Sequence, residues 1–124
     1  MGRNRVQQII TDYPWLDVGN ENLTLLDMLP TGWHNLLLSM CKELRVALIE
    51  YDLLSHYEVY EAKEKYCMLR WYDGLKWDCD INMPQSITNI VCKYEELSKE
   101  VCMICGATKP KNQELCDMCM EQYG

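Results

Sequence analysis

The sequence predicts an α+β fold in which two main helices pack on a small antiparallel β-hairpin or sheet, followed by a cysteine-rich C-terminal tail. Two segments carry apolar residues at intervals of three and four, which is typical of amphipathic helices. Between them lies a segment rich in Tyr, Val and Trp, residue types that favour strands. The chain ends in two Cys-x-x-Cys pairs. We therefore predict an α+β domain over residues 1–100 and a metal-binding tail over residues 101–124 that continues from the last helix.

The N-terminal half is expected to contain a short helix and the first main helix. The short helix covers residues 3–12 and ends before Tyr13-Pro14, because a residue that precedes proline avoids the helical region. The main helix covers about residues 32–51, and Thr31 is its expected N-cap. One face of this helix is expected to be buried, with Trp33, Leu36, Leu37, Met40, Leu44, Ala47, Leu48 and Tyr51.

The segment from Tyr57 to Gly74 is expected to form a β-hairpin. We place its strands at about residues 57–63 and 68–72, with the turn near Glu64 to Cys67. The second main helix follows at about residues 85–100, because Pro84 suits the start of a helix and an amphipathic pattern follows it. Its apolar residues are Ile87, Ile90, Val91, Tyr94, Leu97 and Val101.

Four cysteines near the C-terminus have the spacing of a four-cysteine zinc ribbon. Cys102 with Cys105 and Cys116 with Cys119 are separated by a ten-residue loop. Two such pairs complete a tetrahedral shell of thiolates and leave no position open for a substrate. The alternatives are disulfides, which need an oxidising compartment, and a redox-active pair, which is expected beside a βαβ unit. We expect one structural Zn²⁺ ion, with Gly106 allowing the tight turn after the first pair.

Catalytic patterns are missing from the sequence. It contains no P-loop, no glycine-rich dinucleotide turn and no H-E-x-x-H motif. His34 and His56 are the only histidines, and neither lies in a motif with a nucleophile or a carboxylate. We expect that the protein is not an enzyme. The N-terminal sequence has no apolar leader and no apolar window long enough to span a membrane, so we expect a cytoplasmic protein without a membrane partner.

The charge of the chain bears on the kind of partner. A formal net charge of −7 and the lack of clustered basic residues disfavour free nucleic acid as a ligand. An acidic surface favours basic protein surfaces, and the alternative is that the charge serves solubility alone. Aromatic residues beside acidic ones are good interface anchors if exposed. The candidate partner-binding residues are Glu58, Glu61, Glu64, Trp71, Tyr72, Asp73, Asp78 and Asp80.

Several motifs occur in an order that resembles a family of small phage and prophage proteins. They are PTGWHNLLLSMCKEL, EAKEKYCMLRWYDG, YEELSKEVCMICGA and LCDMC, and together they cover about residues 30–119. The resemblance implies that Cys102, Cys105, Cys116 and Cys119 bind a metal. Cys67-Met68 departs from the pattern, since a Gly-Gly turn is expected there. Small acidic phage proteins of this kind include inhibitors of host defence, among them anti-CRISPR proteins.

Resemblance and charge together lead to a functional hypothesis. We expect a phage-encoded, zinc-binding inhibitor in the host cytoplasm that binds a host defence protein, with a type II CRISPR RNA-guided nuclease as the first candidate. It would block DNA loading by occupying or adjoining the basic nucleic-acid-binding surface of that protein. The alternative is a zinc-ribbon regulatory module that binds nucleic acid or the transcription machinery, with Lys109 and Lys111 on the phosphates.

Overall fold

The computed structural model describes residues 5–111 and 113–123 and confirms the α+β fold class. Its α-helices and strands are α1 (Arg5–Asp12), α2 (His34–Glu50), β1 (Tyr57–Lys65), β2 (Met68–Leu75), α3 (Gln85–Ser98) and α4 (Asp117–Tyr123). Short 3₁₀ helices lie at Pro14–Leu16, Leu25–Met28 and Thr31–Trp33. The first two residues of the helix predicted over residues 3–12 lie outside the described residues. In the described part of the chain, no helix has both the length and the apolar character needed to cross a membrane.

The first main helix lies where the sequence predicts it, but its start differs. Thr31–Trp33 forms a 3₁₀ turn that leads directly into α2, and no side chain caps either element, so the prediction of Thr31 as N-cap is wrong. The reason is a tertiary contact, because the Gly32 amide donates to the carbonyl oxygen of Met103 (2.8 Å). Tyr51 lies beyond the last turn of α2 and is exposed, so it does not belong to the buried stripe.

The hydrophobic core lies between α2, α3 and the inner face of the hairpin. α2 packs against α3, and α3 packs on β2. The 3₁₀ helix Pro14–Leu16 closes one side, where the indole of Trp15 meets the ring of Tyr57 edge-on with centroids 5.3 Å apart. The side chains with no exposed surface in this core are Leu16, Trp33, Leu37, Met40, Cys41, Leu44, Leu48, Leu69 and Ile87.

The hairpin is longer than predicted and its turn is tighter. β1 and β2 pair antiparallel from Tyr57↔Leu75 to Lys65↔Met68, with a bulge at Tyr60. The turn contains two residues, Tyr66 and Cys67, with φ of 55° and 65°. Two-residue turns with positive φ at both positions match the twist of a hairpin but favour Asn and Gly. This turn is therefore strained, because Tyr66 and Cys67 both carry side chains at positive φ.

Helix α3 covers the outer edge of β2 with side chains. The Leu69 amide donates to the Ser98 hydroxyl (2.8 Å), and the Trp71 amide donates to a carboxylate oxygen of Glu95 (2.9 Å). Ser98 in turn donates to the carbonyl oxygen of Glu95 (2.6 Å). An uncovered strand edge can pair with a strand of another chain. These hydrogen bonds hold α3 on the sheet and also cover the edge of β2.

Candidate metal centre

The first cysteine pair lies in a tight turn between α3 and the loop of the tail. The Cys102 amide donates to the Ala107 carbonyl (2.8 Å), and the Gly106 amide donates to the Cys102 carbonyl (2.9 Å). Gly106 has φ of 81°, a conformation that costs glycine little. An isolated antiparallel bridge between Val101 and Thr108 closes the turn. We call residues 101–108 the knuckle.

The second cysteine pair is positioned by a helix. Cys116 directly precedes α4 and Cys119 lies in its first turn, where the Met120 amide donates to the Cys116 carbonyl (2.9 Å). The side-chain amide of Gln113 donates to Leu115 O (2.7 Å) and to an Asp117 carboxylate oxygen (2.9 Å), which holds the chain as it enters α4. The tail therefore combines one knuckle with one helix start, and differs in this respect from a ribbon built of two knuckles.

The four cysteines come together at one point. The Sγ atoms of Cys102, Cys105, Cys116 and Cys119 all lie within 4.8 Å of one another, and those of Cys105 and Cys116 are 3.5 Å apart. Metal–sulfur bonds of about 2.3 Å in a tetrahedron place sulfur atoms about 3.8 Å apart, so the cluster has the size of a metal site with four cysteine ligands. Among the described residues it is the one group of three or more ligating side chains found. These cysteines could hold a single metal ion.

Within the cluster, the surroundings of Cys102 and Cys119 shift the pKa values of their thiols in opposite directions. Burial acts to raise the pKa of Cys102, but amide hydrogen bonds to its sulfur from Cys105, Cys116 and Ile104 outweigh it and lower the pKa to about 6. Burial and the neighbouring thiols raise the pKa of Cys119 to about 12. A divalent cation would favour the thiolate form of all four cysteines. Its binding would therefore release protons and abolish the difference in protonation between Cys102 and Cys119. A metal ion held by all four thiolates would have no position left for a substrate.

The remaining cysteines lie apart from this cluster. Cys41 is buried in the core beside Trp15, and burial raises the pKa of its thiol to about 12. Cys67 is in the hairpin turn, Cys79 is half-buried with its sulfur 3.9 Å from Ile81 O, and Cys92 is exposed on α3.

The predicted partner-binding residues separate into groups, and the first lies on the outer face of the hairpin. Tyr72 and Glu61 are exposed there, and Lys63 lies beside both, 3.5 Å from a Glu61 carboxylate oxygen and 5.9 Å from the centroid of the Tyr72 ring. Half-buried Glu58 accepts a hydrogen bond from the hydroxyl of exposed Tyr60. This surface combines aromatic and charged side chains, as an interface patch does.

Trp71, Asp73 and Glu64 do not belong to that outer face. Trp71 is 4% exposed, and its indole N–H donates to the hydroxyl of Tyr57 (2.9 Å), so its assignment as an exposed anchor is wrong. That hydroxyl donates to the carboxylate of Asp73, and burial raises the pKa of Asp73. Glu64 accepts from the Cys67 amide (2.8 Å) and thereby supports the turn. The physical reason is the alternation of the strands, which turns Leu69, Trp71 and Asp73 towards the core.

The last predicted residues lie in the loop after β2. Asp78 and Asp80 are exposed, and they line a cavity of about 290 Å³ together with Asp52. Trp77, which precedes them, is 95% exposed. Trp77 is not among the residues predicted to bind a partner. Its position between a lysine and an aspartate, outside the alternating strand pattern, was the available signal.

The two lysines proposed for phosphate binding are placed differently. Lys109 is 4% exposed, and its ammonium group donates to the carbonyl oxygens of Lys99 and Pro110. Lys111 is exposed. The ammonium of Lys109 thus holds the tail against the end of α3 and does not face solvent. A phosphate contact through both lysines would require the tail to rearrange.

Two residues outside the predicted metal site contact the knuckle. They are Gly32, whose amide bonds Met103 O, and Trp33, whose indole N–H donates to Val101 O (3.2 Å). No family model matches the sequence, and neither a curated protein nor a solved structure matches it. The resemblance to small phage proteins stays a prediction.

Proposed function

We propose that this chain is a non-enzymatic protein-binding module whose C-terminal tail is stabilised by one structural Zn²⁺ ion on Cys102, Cys105, Cys116 and Cys119. The observation that carries the metal assignment is the convergence of the four sulfur atoms within 4.8 Å. Thiolates are soft ligands that select zinc, copper(I) or iron, and a closed tetrahedral shell of four cysteines is a common structural zinc site. The zinc ion would supply folding free energy to a tail that buries little apolar surface.

Elemental analysis of the purified protein tests the metal assignment. We expect one zinc per chain in the wild type and none in a Cys102→Ser, Cys105→Ser variant, since the loss of two thiolates removes half of the shell. The matched control is Cys79→Ser with Cys92→Ser, two cysteines outside the cluster, which should retain one zinc per chain. Wild-type protein without zinc, or with stoichiometric iron, contradicts the assignment.

The proposed binding surface is acidic and aromatic. It consists of the outer face of the hairpin, with Glu58, Glu61 and Tyr72, and the loop with Asp78 and Asp80. Trp77 replaces Trp71 as the aromatic anchor of this surface because Trp77 is exposed and Trp71 is buried. The net charge of −7, to which a Zn²⁺ ion with four thiolates adds about −2, attracts basic surfaces and speeds association with them.

The proposed partner is a host protein that handles nucleic acid, in the host cytoplasm. Such proteins hold nucleic acid in positively charged channels, and RNA-guided nucleases hold their heteroduplex in one. The predicted resemblance to small phage proteins makes a type II CRISPR RNA-guided nuclease the first partner to test. The module would act by occupying or adjoining the basic surface, so DNA could no longer be loaded.

A cleavage assay with purified nuclease, guide and target tests this proposal. We expect excess module to reduce cleavage and to co-elute with the nuclease on a sizing column. A Glu58→Lys, Glu61→Lys variant should inhibit more weakly, and so should Trp77→Ala. The control is Glu21→Lys with Glu121→Lys, which changes the net charge equally at exposed sites elsewhere. Unchanged cleavage and no co-elution with nucleases of several subtypes would count against the partner.

Gel shifts test the second candidate, a nucleic-acid-binding module. Duplex and single-stranded DNA should bind weakly, because the net charge opposes a polyanion and Lys109 is buried. Tight binding that weakens steeply with salt would favour this candidate over the inhibitor. Such binding should then fall in a Lys111→Ala variant, since Lys111 is the exposed one of the two lysines.

A further inference from the structure

We infer that Gly32 is a positioning residue for the metal centre, so that metal binding and the start of helix α2 are energetically coupled. The inference rests on the proposed zinc site. It concerns the contact between the knuckle and the 3₁₀ turn Thr31–Trp33, which joins the tail to the α+β domain. In this contact the two backbones approach each other without an intervening side chain.

Two glycines make this close approach possible. A Cβ atom at Gly32 would overlap with the Cys102 carbonyl oxygen and would lie 2.6 Å from the Met103 carbonyl carbon and 2.8 Å from the Gly106 nitrogen. A Cβ atom at Gly106 would lie 2.8 Å from the carbonyl oxygen of Gly32. The three atoms nearest to a Cβ at Gly32 are all backbone atoms of the knuckle, which cannot rotate away as a side chain can.

The hydrogen bonds at this contact join the turn to both sides of Cys102. The Gly32 amide donates to Met103 O, one residue after the ligand, at 2.8 Å. The Trp33 indole donates to Val101 O, one residue before it, at 3.2 Å. Trp33 is fully buried, so its indole is held by the core of the α+β domain. The peptide groups on both sides of Cys102 are therefore held in place by residues at the start of α2.

Glycine at position 32 is not needed for the local backbone. Its φ lies outside the left-handed region, and alanine is favoured over glycine in helical positions. The contact with the knuckle thus explains why glycine occupies position 32, although the conformation of the turn does not favour it. Thermodynamic linkage makes this coupling reciprocal. If the Gly32 contact increases the affinity for the metal, the bound metal stabilises the start of α2 by the same free energy.

The test is Gly32→Ala, with zinc affinity measured by competition against a chromophoric chelator. We expect zinc affinity to fall by about tenfold or more, the size of effect seen when groups that orient metal ligands are removed. The metal-free variant should be at least as stable to urea as metal-free wild type, because alanine restricts the unfolded chain. Opposite effects on the two forms distinguish a clash with the formed knuckle from general destabilisation.

Two controls complete the experiment. Gly19→Ala should keep wild-type zinc affinity, because no atom lies within 4 Å of a Cβ there, although its φ of 78° makes that variant less stable. Trp33→Phe, which removes the indole N–H, should weaken zinc binding less than Gly32→Ala does. Wild-type affinity in Gly32→Ala, or an equal loss of stability with and without zinc, overturns the inference. If wild type itself binds no zinc, the proposed metal site fails.

Discussion

The α+β domain and the cysteine tail reach a defined fold by different means. In the domain, a continuous cluster of buried apolar side chains runs from Tyr13 to Tyr94. In the tail, the buried cluster consists of Cys102, Cys116 and Cys119, with Leu115 packed against it. Apolar burial supplies the free energy in the first case, whereas the proposed metal ion would supply it in the second. A substitution in one region should therefore leave the other folded, except where the two regions meet at Gly32.

The two regions also satisfy buried polar groups differently. In the domain, side chains from α3 complete the sheet, as Ser98 and Glu95 do for the amides of β2. In the tail, amides turn towards sulfur, and the buried ammonium of Lys109 donates to carbonyl oxygens. The domain therefore depends on complementary side chains, and the tail depends on the path of its backbone around the four cysteines.

Metal removal should produce the largest effect and confine it to the tail and its contact with the start of α2. Isolated zinc-binding domains gain on the order of 10 kcal/mol of folding free energy from the metal. With a chelator present, the amides of Cys102 and Gly106 should lose protection from hydrogen exchange, whereas those of Met40 and Leu44 stay protected. The Cys102→Ser, Cys105→Ser variant should behave in the same way without chelator. Loss of protection throughout α2 would show that the two regions fold as one unit.

A cavity in the core should destabilise the α+β domain and leave zinc binding in the tail unchanged. Leu44→Ala removes a fully buried side chain and should lower the free energy of unfolding by about 3 kcal/mol in urea titrations. Val46→Ala, on the same helix but 69% exposed, should change it by less than about 0.5 kcal/mol. Both variants should bind one zinc ion per chain. Weakened zinc binding in Leu44→Ala would extend the coupling beyond the Gly32 contact.

The strained hairpin turn should allow a gain in stability. Tyr66→Asn with Cys67→Gly places residues that accept positive φ at both positions, so we expect the free energy of unfolding to rise by about 1 kcal/mol. Zinc affinity should stay unchanged, since the turn lies in the α+β domain. Tyr66→Phe keeps the strain and is the control that should show no gain. Equal stability of both variants would mean that the turn costs nothing.

The buried carboxyl group of Asp73 should give the domain a small pH dependence. Burial raises the pKa of Asp73 above its ordinary value of 3.8, so the folded protein holds this proton more tightly than the unfolded chain does. Ionisation of Asp73 therefore lowers the free energy of unfolding as the pH rises from 3.8 through the raised pKa of the folded protein. The stability of Asp73→Asn relative to wild type should be greater at pH 7 than at pH 4 in urea titrations. A difference independent of pH, or one that grows on acidification, would contradict this sign.

The sequence by itself determined the features that repeat along the chain or lie close together in it. The apolar spacing of α2 and α3 predicted both helices, because a period near 3.6 residues places those side chains on one face. The alternation and residue types predicted the hairpin, although its strands extend further. The two Cys-x-x-Cys pairs predicted the four-sulfur cluster, because each pair brings two thiols to one point by local geometry alone.

Only the tertiary structure decided which side of each element is covered. Both faces of the hairpin carry aromatic residues, so the burial of Trp71 and the exposure of Tyr72 depend on where α3 packs. The start of α2 was misplaced because Gly32 bonds Met103 O, a partner far along the chain. Lys109 is buried for the same kind of reason, since its carbonyl acceptors include Lys99 O at the end of α3. Contacts between residues distant in sequence leave no local pattern, so periodicity and motif spacing could not predict them.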